Sequence, residues 1–272
     1  SFRIVRDIKT ALWSSYLLQE SLCQPLIRER DVLLTTSNYS RVLTRRLFPH
    51  LGNTRIALFE PVLAGLQSTN ESRKFSTLDD TIKLGYVGRL SEDKNFPQLV
   101  DLLIELHHTN PGKYRLIACG AIHSPECAPE LVAERIQRET GRTDLFTYLE
   151  PIPHHQIVEL IRTFDYFLFF STSTLEVLGR VLIEAMHAGT PILAAGHAAA
   201  PELLSAPSLV PVHYFEGSEF QGHFDAPMGR VDIEHAVKII RQQHIPPTPP
   251  TIQINDPDVL IGWNVIQFDF SL

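Results

Sequence analysis

Residues 165–204 read DYFLFFSTSTLEVLGRVLIEAMHAGTPILAAGHAAAPELL, and this stretch constrains the fold more than any other. An apolar run, a polar turn, a helical pattern and a second apolar run follow one another without a gap, which is a strand, loop, helix, strand unit. Residues 166–170 are apolar at every position, as in a parallel strand covered on both faces, and 191–195 are similar. Between them the helix is expected to open near Leu178 or Gly179 and to stop at Gly189, followed at once by Thr190 and Pro191.

Two acids on this unit carry the chemistry. Glu176 precedes the expected helix and Glu184 lies about two turns in, which puts their Cα atoms roughly 12 Å apart at about 1.5 Å per residue. The Glu184 side chain leans back toward the helix start, so both carboxylates can reach one ligand lying across it. A helix start offers unpaired N–H groups and a positive dipole end, which suit a phosphate, whereas carboxylates suit sugar hydroxyls. The ligand this describes is a nucleotide sugar, with phosphate in the middle and polyols at both ends. Spacing alone leaves a second reading open: Glu184 pairs with Arg180 at i,i+4 on a solvated face, and Glu176 is a loop acid.

The stretch resembles the donor-binding segment of family 4 glycosyltransferases, retaining enzymes with the two-domain GT-B fold. Glu176, Gly179, Glu184, Ala185, Met186, Gly189, Thr190, Pro191, Pro201 and Glu202 fall on that family's pattern. The resemblance implies that Glu176 contacts the transferred sugar and Glu184 the ribose hydroxyls. The chain departs from the pattern where Val177 and Leu178 replace a common Gly-Phe and where Ala198 and Ala199 replace a common Gly-Gly. The first departure removes flexibility where backbone approaches the ligand.

A second segment carries the same resemblance. Residues 82–87 read as a strand running into Gly88, Arg89, Leu90, Ser91, Glu92, Asp93, Lys94 and Asn95, with a helix from about Pro97. Two cations five residues apart after a glycine turn can bring positive charge to a phosphate; surface Arg and Lys are also commonly just solvated. GYVGRLSEDKNF is similar to the family's diphosphate-binding loop, which implies that Arg89 and Lys94 neutralise the donor phosphates. Together the resemblances imply a donor site of Gly88, Arg89, Lys94, Glu176, Leu178, Gly179, Arg180 and Glu184, with Glu176, Arg89 and Lys94 as the catalytic set. No metal and no cofactor beyond the nucleotide sugar is expected, because the two cations do the work that metal ions do elsewhere.

Strands and helices alternate from 82 to 195: helices over 98–107, 130–140 and 155–163, strands over 114–120 and 145–149. This is the pattern of a doubly wound α/β domain. The pairs His107, His108 and His154, His155 are read as surface or capping residues, since consecutive positions point apart on a helix. Upstream, 7–30 read as packed helices, 31–36 as a strand, 38–51 as a helix capped by Ser37 or Asn38, and 55–62 as a further strand. TTSNYSRVLTRRLFP is similar to the last unit of the acceptor-side domain in the same enzymes. Arg41, Arg45 and Arg46 on that helix are read as a solvated face, with contact to anionic lipid or an acceptor phosphate as the functional alternative. The expected organisation is 1–65 as part of an acceptor-side Rossmann-like domain, 66–80 as a linker, 81–243 as the donor domain, and 244–272 as a Pro-rich linker and tail. The chain opens at Ser1 inside a helical pattern, as a fragment does, with most of the acceptor side missing.

The balance of charge is −7 over 272 residues, which argues against a nucleic-acid partner. Three cysteines lack metal-like spacing and read as reduced thiols. With no apolar run long enough for a membrane span and no leader pattern, the expectation is a cytoplasmic protein with at most peripheral membrane contact. The acceptor, whether sugar, lipid-linked sugar or small molecule, is not legible.

The tail departs from this picture. DPDVLIGWNVIQFD, residues 256–269, resembles the second exonuclease motif of family B DNA polymerases, with Asn264 and Asp269 at its Asn and metal-binding Asp. Asp232 and Glu234 are the one candidate for the first motif, yet they open what reads as a helix over 232–243. The leading expectation is therefore a glycosyltransferase; a polymerase-associated 3′–5′ exonuclease module and a non-catalytic nucleotide-sugar-binding domain are the alternatives.

Overall fold

The computed structural model describes residues 32–47, 55–58, 81–173, 176–216 and 226–242. The chain divides into two units, Ser1–Val62 with Thr251–Leu272, and Leu63–Pro250. The helices expected over 7–30, the linker, the Pro-rich stretch and the tail with Asn264 and Asp269 lie outside the described residues.

In the first unit, strand β1 (Val32–Thr35) pairs in parallel with β2 (Arg55–Leu58), and helix α1 (Asn38–Leu47) connects them. The helix begins where it does because Ser37 and Ser40 cap each other: the Ser40 N–H donates to Ser37 Oγ and the Ser37 N–H to Ser40 Oγ, both at 3.0 Å. That is a reciprocal capping box with Ser in the acidic position. Arg41 and Arg45 are exposed.

The second unit is built on a six-stranded, all-parallel sheet. Its strands are β3 (Ile82–Val87), β4 (Tyr114–Cys119), β5 (Phe146–Leu149), β6 (Tyr166–Phe169), β7 (Ile192–Ala195) and β8 (Leu209–Val210), in the order β5-β4-β3-β6-β7-β8. The period of two divides the sheet residues between two cores. Leu84, Tyr86, Leu116, Leu168, Phe170 and Leu193 face α2 (Phe96–Thr109), α3 (Pro129–Thr140) and α7 (Ile233–Arg241). Val87, Cys119, Phe167, Phe169, Ile192 and Ala194 face α4 (Ile157–Arg162), α5 (Arg180–Ala188) and α6 (Ala200–Leu203). Helices therefore cover both faces, and β6 and β7 are apolar at every position because neither face meets water.

The strand order runs outward in both directions from β3 and β6, so a crevice opens beyond their carboxyl ends. The chain is pressed tight there: a Cβ on Gly120, whose φ is 151°, would lie 1.8 Å from the Gly88 carbonyl oxygen.

Two expectations are corrected. The sequence signals no strand at Leu209–Val210, where the structure has β8, and residues 214–230 are loop-like in sequence yet begin and end in an antiparallel pair, β9 (Val212–Tyr214) with β10 (Gly229–Val231). Strands of two or three residues are too short to display a period, and this pair is closed by partners fifteen or more positions apart in sequence. Asp232 is the N-cap of α7, accepting from the His235 N–H at 2.9 Å, and Glu234 lies in its first turn. The strand that an exonuclease motif requires is therefore a helix.

Candidate functional site

Beyond β3 and β6 lies a cavity of about 290 Å3, lined by Tyr86, Val87 and Gly88 from β3 and its end, Lys94, His154 and Ile157, Phe169 and Ser171 from the end of β6, Glu176, and Gly179, Arg180, Val181 and Glu184 from the start of α5. Gly179 caps α5 with φ 72°, left-handed backbone that glycine adopts freely, and a Cβ there would sit 3.0 Å from the Phe169 ring. The chain can thus turn from the Glu176 loop into the helix with its first N–H groups close to the cavity.

The loop after β3 is held by a buried carboxylate. Asp93, 1% exposed, accepts from Ser91 Oγ at 2.5 Å and from Arg89 Nη2 at 3.1 Å, and lies 3.9 Å from Lys94 Nζ. Burial, and then the nearby Asp93 and Glu176 carboxylates, push the Tyr86 hydroxyl well above the usual phenol range. It stays protonated and donates to the Arg89 carbonyl at 2.5 Å. Asn95, at φ 52°, donates through Nδ2 to the Phe170 carbonyl (3.0 Å), Thr172 Oγ1 (2.9 Å) and the Gly229 carbonyl (3.2 Å). One buried amide thereby ties this loop to the loop after β6 and to β10.

Across the cavity mouth, Lys94 Nζ meets Glu176 Oε2 at 2.5 Å, although 82 positions separate them. Glu184 is 4% exposed, and its Oε1 lies 2.8 Å from His154 Nε2. Behind the Glu176 loop, His197 is 4% exposed. Its Nε2 lies 3.0 Å from the Ser173 carbonyl and its Nδ1 3.0 Å from the Tyr214 hydroxyl. Burial lowers the His197 pKa below the ordinary value; the Ser173 carbonyl and Glu176 oppose that shift and Lys94 adds to it.

The structure brings Gly88, Lys94, Glu176, Gly179, Arg180 and Glu184 to one cavity. Arg89 stands apart, turned back on Asp93 with its side chain 45% exposed, and Leu178 is buried beside the cavity rather than in its lining. The solvated Arg180–Glu184 pair is not what forms: Glu184 is buried and takes His154 instead. The reading of the histidine pairs as surface residues holds for His108, His154 and His155, which are exposed, and is corrected for His107. His154 lines the cavity because a short 3-10 turn, His154–Gln156, carries it past the end of β5. His107 is buried, accepting from the Gly112 N–H at 3.3 Å. Sequence reasoning missed Tyr86 and His197 as well; Tyr86 sits at a strand end, where position alone could have found it, as it finds Ser171 at the end of β6. No group of three or more metal-binding side chains converges among the described residues.

A family model described as Glycosyl transferases group 1 matches residues 68–207. The chain is similar to the alpha-maltose-1-phosphate synthase of Mycolicibacterium smegmatis, 29% identical over 122 residues that make up 45% of this chain and 30% of that protein. It is similar also to the D-inositol 3-phosphate glycosyltransferase of Stackebrandtia nassauensis, 30% identical over 131 residues, 45% of this chain and 28% of that protein. The match thus spans under a third of the length of either relative. Among solved structures, HepE of Anabaena in complex with UDP and glucose superposes with a TM-score of 0.63 at 18% identity, covering 96% of this chain and 67% of that one. That likeness is one of fold.

Proposed function

The chain belongs to the group 1 glycosyl transferases, whose family model matches a little more than half of it, and on that premise we propose that its cavity binds a nucleotide-sugar donor for transfer to an acceptor. The observation that carries the reading is the joint placement, at one strand-switch crevice, of Lys94, the start of α5, and the carboxylates of Glu176 and Glu184. Cation and helix start suit the diphosphate; the two carboxylates suit the hydroxyls on either side of it. In this reading Glu184 holds the ribose and Glu176 the transferred sugar. The donor diphosphate takes the place of Glu176 on Lys94, and Arg89 reaches the same phosphates by leaving Asp93.

As the sugar departs, negative charge develops on the leaving diphosphate. Lys94, the α5 N–H groups and Arg89, once it has left Asp93, stabilise that charge electrostatically. Retention at the anomeric carbon and independence of metal follow from the likeness to family 4. The acceptor is a sugar, a lipid-linked sugar or a small molecule, met by the acceptor-side domain to which residues 1–65 would belong. The reading keeps a cytoplasmic location, with which the buried, free thiols of Cys119 and Cys127 are consistent. No helix among the described residues is long and apolar enough to cross a membrane.

A thermal-shift screen against UDP, GDP, ADP and their sugars tests the reading, because a ligand bound only by the native state raises its melting temperature. One nucleoside diphosphate and its sugar should stabilise the protein. Stabilisation by none of them contradicts the proposal; binding without turnover marks a donor-binding domain.

A further inference from the structure

The carbonyl oxygen of Ser173 accepts two hydrogen bonds, from the backbone N–H of Glu176 at 3.1 Å and from His197 Nε2 at 3.0 Å. The first closes the turn that carries Glu176; the second holds that turn from the opposite side, out of the loop that follows β7. A carbonyl can only accept, so His197 carries its proton on Nε2. Nδ1 is then an acceptor, and the Tyr214 hydroxyl, 3.0 Å away on β9, is the donor. The ring is 4% exposed, so the tautomer is set by these two partners, and burial keeps the imidazole neutral.

The backbone around this ring is not relaxed. The residue after His197 is Ala198 at φ 54°, a left-handed conformation that an L side chain rarely adopts and that persists only where the surroundings enforce it. The Glu176 turn is also tied from the β9–β10 side, where the Met228 N–H donates to the Thr172 carbonyl at 3.1 Å and Thr172 Oγ1 donates to the Gly229 carbonyl at 3.0 Å. His197 thus completes a frame that carries the Glu176 carboxylate, 2.5 Å from Lys94.

We propose that His197, oriented by Tyr214, is a positioning residue: through the Ser173 carbonyl it fixes the turn that presents Glu176 to Lys94 and to the transferred sugar. The last step rests on the proposed role of Glu176; the first does not. His197 touches no substrate in this scheme. It sets where one carboxylate stands.

The test has two arms. In crystal structures of the ligand-free protein, His197→Phe should separate Glu176 from Lys94, while His197→Gln, whose Nε2 can donate to the same carbonyl, should keep the pair. Survival of the pair in His197→Phe overturns the proposal whatever the cavity binds. If that variant does not fold, Tyr214→Phe, which removes the donor to Nδ1, replaces it and is read by the same contact. In the second arm, calorimetry compares a sugar nucleotide with its nucleoside diphosphate, UDP-glucose with UDP or whichever pair the thermal screen selects in their place. Wild type and His197→Gln should prefer the sugar nucleotide, and His197→Phe should lose that preference by about tenfold, the scale of one charged hydrogen bond, while binding the nucleoside diphosphate no more weakly than wild type. Equal losses for both ligands mean a merely structural residue and overturn the proposal. A wild type that binds neither ligand counts against the donor reading alone and leaves the first arm to decide.

Discussion

At the scale of single residues, the two carboxylates are assigned different partners, so their removal must read differently. Glu184→Ala is expected to weaken nucleoside diphosphate binding by roughly tenfold to hundredfold, the loss of one charge-assisted hydrogen bond of about 1.5–3 kcal/mol. Glu176→Ala is expected not to weaken nucleoside diphosphate binding, since it removes the carboxylate the diphosphate displaces from Lys94, and to reduce discrimination between donor sugars. Titration calorimetry with both ligands checks this, and identical profiles for the two variants would remove the assignment. His197 adds a pH dependence. Burial lowers its folded pKa below the unfolded value of 6.5, so below pH 6.5 the unfolded chain binds more protons at this site than the folded one. The stability it supports is complete above pH 6.5 and is lost as pH falls through 6.5 toward the folded value. Melting temperature should therefore drop on going from pH 7.5 to 5.5, and less so in His197→Gln; equal drops would assign the effect to other groups.

At the scale of elements, the parallel sheet was legible because β6 and β7 are apolar at every position and flank a helix bounded by Gly179 and Gly189. Strand β3 was read at its observed bounds, 82–87, and β4 over 114–120, one residue past its end, because each is a mostly apolar run that stops at a glycine. What could not be read were contacts with no local signature. Nothing in the spacing of Lys94 and Glu176 says that they meet, since their contact is made by β3 and β6 lying side by side. Likewise His154 owes its place beside Glu184 to a 3-10 turn that carries no period. Strands β8 to β10, of two and three residues, fall below the length at which alternation is visible. The cap of α5 gives a direct check at this scale. Gly179→Ala would hold a side chain at φ 72°, 3.0 Å from the Phe169 ring. It should cost about 1–2 kcal/mol in urea unfolding and weaken diphosphate binding by moving the helix start. A variant as stable as wild type would show that the left-handed cap is dispensable.

At the scale of the whole molecule, the Rossmann strand order, the family match over residues 68–207 and the cavity at the strand switch all support the proposed donor site. The exonuclease alternative finds no support here: Asp232 and Glu234 open a helix. Binding of the donor is expected to be unchanged by EDTA, since in the proposed site Lys94 and the α5 start supply the positive charge that would meet the diphosphate; a strict need for a divalent ion, seen by calorimetry with and without chelator, would favour a metal-dependent transferase. The central claim is that this crevice holds a diphosphate on Lys94. It is tested most directly by measuring the affinity of Lys94→Ala for UDP and for uridine, or for whichever nucleoside pair the thermal screen selects. The account predicts that diphosphate affinity falls about tenfold to hundredfold while the nucleoside, lacking phosphate, binds as it does to wild type. Parallel losses for both ligands, or no loss for either, would contradict it.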